Sequence, residues 1–396
     1  MTDAGSRGPL LMVAHGLPPR ETGGVELYTL ALAKRLKRER PVALFAHRTA
    51  PAQGPCHEDR EEDGIPVREA LSDLTWIRRL EDLYLNRRWE ASFDDWMDRI
   101  RPETVHFHHA IRLSPLLVER ALEHGVKVGV TLHDFFTVCP RVHRFRPDGT
   151  PCYGHRFRLD CLKCLQGAHW PAPWGLAGWR ELQRVFLRMK RILHRVHYLE
   201  APSRFVADVF RRFGVRRAIE VKPLGLIHSP VAGGSPGEGG TVEKPARPAG
   251  TVTFGYIGGY MAYKGVELLL EAFAELRGRR DDVRLRLYGV DRDKAYVKDL
   301  KARFSEDPFI HWGGEFPPER LPAVLDTMDV LVTPSICEET YSFAAREGTA
   351  RGMPVVGADA GALVEALQGC PGCRLFPRGD LGGLVRAMES LLPPSP

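Results

Sequence analysis

Short apolar runs alternate with longer amphipathic stretches along this chain, and the alternation predicts a parallel α/β protein. Leu10 to Ala14 (LLMVA), Val42 to Ala46, Thr104 to His109 and Val126 to Leu132 read as strands. They carry little polar interruption, as strands covered on both faces do. A helical pattern follows Gly23-Gly24, with Val25, Tyr28, Leu32 and Leu36 on one stripe. Residues 51–66 read as a polar, acidic loop, and 70–100 as helical, with Trp76, Trp89, Phe93 and Trp96 at core-like spacing. A strand into Ser203, a helix and VKPLGL (221–226) close the first half.

Residues 229–250 are dominated by Gly, Pro and Ala without periodicity, which predicts a linker between a domain at 1–228 and another at 251–396. The βα pattern then restarts. Val252 to Ile257 leads through Gly258-Gly259 into a helix with Val266, Leu269, Leu270 and Phe273 on one face. Strands at Leu285–Tyr288 and Ile310–Trp312 come next, and Arg374–Phe376 and a helix over Leu381–Leu392 end the chain. Between them lies Thr333–Asp359, flanked by a strand at Val330–Val332 and containing another at Pro354–Gly357. Strand, loop, helix, strand places Glu339 on the loop and Glu347 about two turns later on the returning helix. Ligands of parallel sheets sit beyond the carboxyl ends of the strands. Two acids there accept hydrogen bonds from hydroxyl groups, so the expected ligand is a sugar or a ribose.

At 396 residues, 43% hydrophobic and 27% charged, the chain has the composition of a globular protein large enough for two domains. No apolar run approaches bilayer length, and the short N-terminal run is broken by His15, so the expected compartment is the cytoplasm. The net charge of +6 divides unevenly, with +10 on the first 222 residues and −4 on the rest. Much of the excess lies in residues 182–199, where Leu182, Val185, Phe186, Met189, Ile192, Leu193 and Val196 recur at helical spacing between arginines. One reading is an arginine-rich surface helix; the other is contact with an acidic acceptor or anionic lipid, peripheral at the inner membrane surface. Nucleic acid is not expected, because no aromatic–basic interleaving accompanies the charge.

Three features carry candidate chemistry. Gly23-Gly24 and Lys264-Gly265 each open a helix after a strand, where backbone N–H groups and the helix dipole favour a phosphate. His106, His108, His109 and the pair His133-Asp134 stand at strand ends, and a carboxylate beside an imidazole can fix its tautomer. Cys139, Cys152, Cys161 and Cys164 sit in an insertion at 139–164, where the CLKC pair admits a structural zinc or four reduced thiols. A second CxxC, Cys370 and Cys373, reads as incidental.

Together these motifs resemble family 4 glycosyltransferases of the retaining GT-B class. The likeness rests on GGVE, HD followed by CPR, and SRF with PLG in the first half. In the second it rests on YKGVELLLEAF, LYG, GGEF, the Glu339-to-Glu347 motif and GMPVVGAD. The resemblance implies two Rossmann-like domains facing a central cleft, acceptor on the N-terminal domain and nucleotide-sugar on the C-terminal one. It implies Lys264, with Gly23 and Gly24, at the donor diphosphate, Glu347 at the ribose, and Ser342 and Phe343 at the donor. Glu339 would take hydroxyls of the transferred sugar and His133 would lie near its anomeric carbon. No metal or other cofactor is implied for catalysis, the nucleotide-sugar being a substrate; the acceptor would be a glycan, a lipid-linked or a small molecule. The aromatic helices at 70–100 could then act as a lid over the acceptor. Gly259 stands where the family often has arginine, Ser342 where it usually has glycine, and LLPPSP where it commonly has a helix crossing back to the first domain. A nucleotide-sugar epimerase and a non-catalytic sugar-nucleotide-binding protein are the competing readings.

Overall fold

The computed structural model describes residues 8–51, 54–152, 154, 159–167, 175–227 and 250–394. They form two compact units divided between Leu224 and Gly225. Almost all of the expected linker lies outside the described residues. The first unit runs β1 (Leu10–Ala14), α1 (Gly24–Leu36), β2 (Val42–Thr49), β3 (His57–Glu62), β4 (Ile65–Ser72), α2 (Leu80–Tyr84), α3 (Glu90–Ile100) and β5 (Thr104–Phe107). It continues α4 (Leu116–Glu123), β6 (Lys127–Thr131), α5 (Leu159–Gly167), α6 (Gly175–Arg195), β7 (Tyr198–Ala201), α7 (Arg204–Arg212) and β8 (Ile219–Val221). The strand order is β3-β4-β2-β1-β5-β6-β7-β8, parallel throughout except for the β3–β4 hairpin. Successive residues of β1 feed opposite faces. Leu11 and Val13 join one core with Trp89, Phe93 and Trp96, and Leu10, Met12 and Ala14 join another beneath α1.

The second unit runs β9 (Val252–Ile257), α8 (Val266–Arg277), β10 (Val283–Tyr288), α9 (Lys294–Phe304), β11 (Ile310–Gly314), α10 (Leu321–Leu325) and β12 (Val330–Thr333). Then come α11 (Phe343–Ala350), β13 (Val355–Ala358), α12 (Leu363–Leu367), β14 (Arg374–Phe376) and α13 (Leu381–Glu389). Its six strands are all parallel, in the order β11-β10-β9-β12-β13-β14. In each sheet the order reverses once near the middle, between β1 and β5 and between β9 and β12. Such reversals open a crevice at the carboxyl ends of the strands.

Several expectations are corrected. The acidic loop at 51–66 is in fact most of a hairpin. β3 (HEDREE) has no apolar face, and it forms because Asp59 and Glu58 answer Arg68 and Arg48 while Arg60 reaches Glu69. Asp63-Gly64 makes its turn with positive φ at both residues, which short side chains and glycine tolerate. On α1 the fully buried positions are Glu26, Thr29, Leu30 and Ala33, Glu26 turning inward toward His15, while Leu32 and Leu36 of the expected stripe pack partly buried against the same core. Trp89, Phe93 and Trp96 are buried in the core and form no lid.

The basic helix α6 pairs Arg184 with Glu81, and Arg188 and Arg195 with Glu119, so much of its charge is answered locally. No helix among the described residues is long and apolar enough to cross a membrane. In the insertion, Cys139 and Cys161 pack against the core and Arg141 approaches Cys164 Sγ at 3.9 Å. Among the described residues no three His, Cys, Asp or Glu are disposed to hold a metal as they stand. Cys370 and Cys373, expected to be incidental, are joined as a disulfide.

Candidate functional site

In the first unit the polar groups gather where the chain leaves β1, β5 and β6, at the reversal in strand order. His133 and Asp134 follow β6, but they do not pair with each other as the sequence led one to expect. Adjacent residues leaving a strand point to different sides. Asp134 Oδ2 lies 2.5 Å from His109 Nε2, and the Phe136 N–H donates to Asp134 Oδ1 at 2.8 Å. The Ile111 N–H donates to His109 Nδ1, so the His109 proton sits on Nε2, facing the carboxylate. Burial opposes ionisation of Asp134, yet His109 outweighs it and holds the carboxyl at about 2.

His133 instead sits with its Nε2 3.0 Å from His108 Nδ1. Both rings are buried, and burial pushes His133 down to about 3 and His108 well below the usual imidazole range. This is a pair of neutral imidazoles. Tyr28 of α1 packs against both, at 5.5 and 5.7 Å between ring centroids. His106 is structural: its ring bonds Thr131 Oγ1 at 2.7 Å and the Tyr198 hydroxyl at 2.9 Å.

Gly23 and Gly24 open α1 as predicted, but the first turn also brings Glu26, whose carboxylate would meet a Cβ added at Gly23. Glu26 Oε1 lies 2.9 Å from His15 Nε2; burial opposes its charge, but His15 outweighs this and holds the carboxyl at about 2. The helix opening therefore already has an internal anion beside it. His15 and Glu26 were missed in sequence, although His15 is the first polar residue after β1. Strand-end position was the signal.

In the second unit the reversal between β9 and β12 brings two predicted residues together. Lys264 Nζ lies 2.7 Å from Glu339 Oε1, and the Ser335 hydroxyl donates to the same oxygen at 2.5 Å. Burial disfavours the ammonium charge, but Glu339 beside it more than compensates and raises the Lys264 pKa. Lys264 ends a short 3-10 turn, and Gly265 next to it has φ 74°. A Cβ there would meet the Pro334 carbonyl at 2.0 Å, so glycine is what lets the lysine segment lie against the end of β12.

Glu347, on α11, is buried and accepts the Ile227 N–H on Oε1 at 3.0 Å. The Tyr341 hydroxyl accepts the Gly225 N–H at 2.9 Å and donates to the Gly225 carbonyl at 3.1 Å. The acids that sequence treated as a pair thus have separate neighbours, Lys264 for one and the 225–227 backbone for the other. Ser342 caps α11 at φ 59°, ψ 79° without a capping side-chain bond. This is the left-handed region that favours glycine, so the backbone keeps the shape for which glycine is the ordinary residue. Phe343 follows at the first position of α11, its ring 5.0 Å from Tyr341. Where an arginine was expected, the Gly259 carbonyl accepts the Tyr256 hydroxyl at 2.8 Å.

Comparison with known proteins agrees with both units. Residues 22–228 match the family model described as Glycosyltransferase Family 4, and 251–393 match the one described as Glycosyl transferases group 1. A D-inositol 3-phosphate glycosyltransferase of Corynebacterium aurimucosum is 28% identical over 181 residues, 41% of each chain. An MMP alpha-(1->4)-mannosyltransferase of Mycolicibacterium hassiacum is 34% identical over 130 residues, 33% of this chain and 31% of that one. The chain thus spans between about a third and two-fifths of the length of these curated relatives. Among solved structures, sucrose-phosphate synthase from Thermosynechococcus elongatus superposes with a TM-score of 0.65 at 17% identity, covering 97% of this chain and 90% of that one. HepE from Anabaena, solved with UDP-glucose, gives 0.63 at 14% identity, covering 96% and 89%. With a family model over more than half of its length and the two-sheet fold of the GT-B enzymes, the chain belongs to glycosyltransferase family 4.

Proposed function

We propose that this protein is a retaining glycosyltransferase that moves a sugar from a nucleotide-sugar to a glycan, lipid-linked or small-molecule acceptor without a catalytic metal. The observation that carries the reading is the Lys264–Glu339 pair at the strand-order reversal, where one cation and one acid stand together. An arriving diphosphate competes with Glu339 for the ammonium, which Glu339 keeps charged against the cost of burial. Glu339, released, accepts hydroxyls of the donor sugar, and Glu347 accepts those of the ribose. The bond between the sugar anomeric carbon and the diphosphate oxygen then breaks, its electron pair leaving on oxygen. The acceptor hydroxyl bonds the same face of that carbon and passes its proton to the departing oxygen. Lys264 and the backbone N–H groups opening α11 offset the charge that develops on the diphosphate. His133 serves near the anomeric carbon as a neutral hydrogen-bonding group, and Ser342 and Phe343 border the donor.

Similarity to a D-inositol 3-phosphate glycosyltransferase favours a phosphorylated polyol or sugar acceptor, and solved neighbours holding UDP or UDP-glucose favour a uridine donor. A thermal-shift series with UDP-, GDP-, ADP- and TDP-sugars tests the donor, since a ligand at a hundred times its Kd adds about 2.7 kcal/mol. One nucleotide series is expected to raise Tm and to yield glycoside with inositol 3-phosphate or a sugar phosphate. An epimerised donor formed without acceptor, or binding without product, would replace the reading with one of its rivals.

For the insertion we propose a structural zinc on Cys139, Cys152, Cys161 and Cys164. Cys161 and Cys164 lie one turn apart on α5, and Cys139 feels the charges of Cys152 and Cys161. Burial pushes the Cys139 thiol up to about 12, and a cation drawing the four together would reverse that. Metal analysis is expected to find one zinc per chain; less than about a tenth would remove the proposal. A lipid contact of α6 rests on exposed Leu176 and Leu187 beside exposed Arg180 and Arg191. Salt-reversible sedimentation with anionic vesicles is its test, and no sedimentation at low salt would dismiss it.

A further inference from the structure

Because both imidazoles of the His108–His133 pair are neutral, a single proton lies between His108 Nδ1 and His133 Nε2, and its owner fixes what His133 offers a ligand. If His133 owned it, His108 would accept on Nδ1 and carry its own proton on Nε2. That nitrogen is buried and has no hydrogen-bond partner among the described residues. A buried N–H left without an acceptor is the rarer and costlier outcome; a bare lone pair is tolerated better. The ring also borders a cavity of about 40 Å³, room for a water molecule, whose wall includes Thr137 with a buried hydroxyl that likewise lacks a partner. A water or hydroxyl there can donate to a lone pair on His108 Nε2. Such a group could equally accept, so what puts the shared proton on His108 is the cost of a buried N–H without an acceptor.

We propose that His108 is a positioning residue for His133. It donates its Nδ1–H to His133 Nε2, which obliges neutral His133 to carry its proton on Nδ1. His133 then presents an N–H, and no lone pair, to the oxygen atoms of a bound substrate. Tyr28 against both rings and His106, 4.6 Å from His108 between centroids, hold the pair in register. The inference rests on the transferase reading for its catalytic consequence, but the tautomer itself does not depend on that reading.

Long-range proton–nitrogen NMR of full-length protein labelled with 15N-histidine tests the tautomer directly. His133 in the native chain is expected to show a protonated Nδ1 and a bare Nε2. In His108→Phe that preference is expected to vanish, with kcat falling on the order of 10²-fold and donor KM changing far less. His108→Asn, whose amide can stand in for the Nδ1–H donor, is expected to restore both within about fivefold. Finding His133 protonated on Nε2 in the native chain, or unmoved in His108→Phe, would overturn the proposal. Should His108→Phe not fold, the native spectrum and His108→Asn still decide it. A native spectrum as expected with no transfer to any acceptor would count against the transferase reading and leave the positioning role standing.

Discussion

The two strand-order reversals solve the problem of a polar crevice in opposite ways. In the first unit the strand ends carry histidines, two beside carboxylates and two sharing one proton as neutral rings. In the second the Lys264 ammonium is kept charged by Glu339. A neutral imidazole pair offers direction: which atom donates and which accepts. An ion pair offers charge that a competing anion can take over. On the proposed transferase reading, directional groups would suit the choice of a hydroxyl nucleophile, and transferable charge the capture of a diphosphate.

The largest expected effect falls on the second unit. Lys264→Met is expected to lower kcat/KM about 10³-fold, since a cation at a developing anion is worth several kcal/mol. A steady-state assay checks it, and a tenfold loss or less would mean that another group carries the charge. pH separates the units next. His47, His106 and His133 are held at about 3, 4 and 3 by burial, and His108 lower than normal, so the unfolded chain binds their protons first. Stability from these groups is complete above the unfolded value near 6.5 and falls by about 1 kcal/mol per histidine for each pH unit below it. Hydrogen exchange at pH 7.5 and 5.5 is expected to show the first unit loosening while the second changes little; equal loosening would break the contrast. A smaller effect is expected of Tyr341→Phe, which removes both bonds to Gly225 and should cost about 1 kcal/mol, read as faster exchange at residues 225–227. Ser342→Gly is expected to stabilise the second unit by roughly 0.5 kcal/mol, relief of the left-handed backbone being partly offset by glycine's freedom when unfolded. A lowered melting point would show that the serine hydroxyl has an unseen role.

Legibility in the sequence followed what is local. The strands of both sheets that are buried on two faces, such as LLMVA and VLVT, were plain because apolar runs bounded by turns have few other readings. HEDREE was opaque because its reason for being a strand lies in arginines on β2 and β4, which no window along the chain contains. Lys264 and Glu339 could be named by position, but their contact comes from β9 and β12 lying side by side, a fact of topology. His133 with Asp134 failed for the opposite reason. Adjacency in sequence was read as adjacency of side chains, whereas each residue found its partner on β5's outgoing loop. The glycine-like backbone of Ser342 was foreshadowed only by the resemblance to the family.

The same charged hairpin strand has a consequence for how copies of the chain meet. A sheet of eight strands ends in unpaired amide and carbonyl groups that can template a strand from another molecule. On β3 that margin carries Glu58, Asp59, Arg60, Glu61 and Glu62, and an incoming strand would have to strip water from all of them. The edge strand therefore works as a hem along this margin of the sheet, opposing the stitching-on of a second copy there.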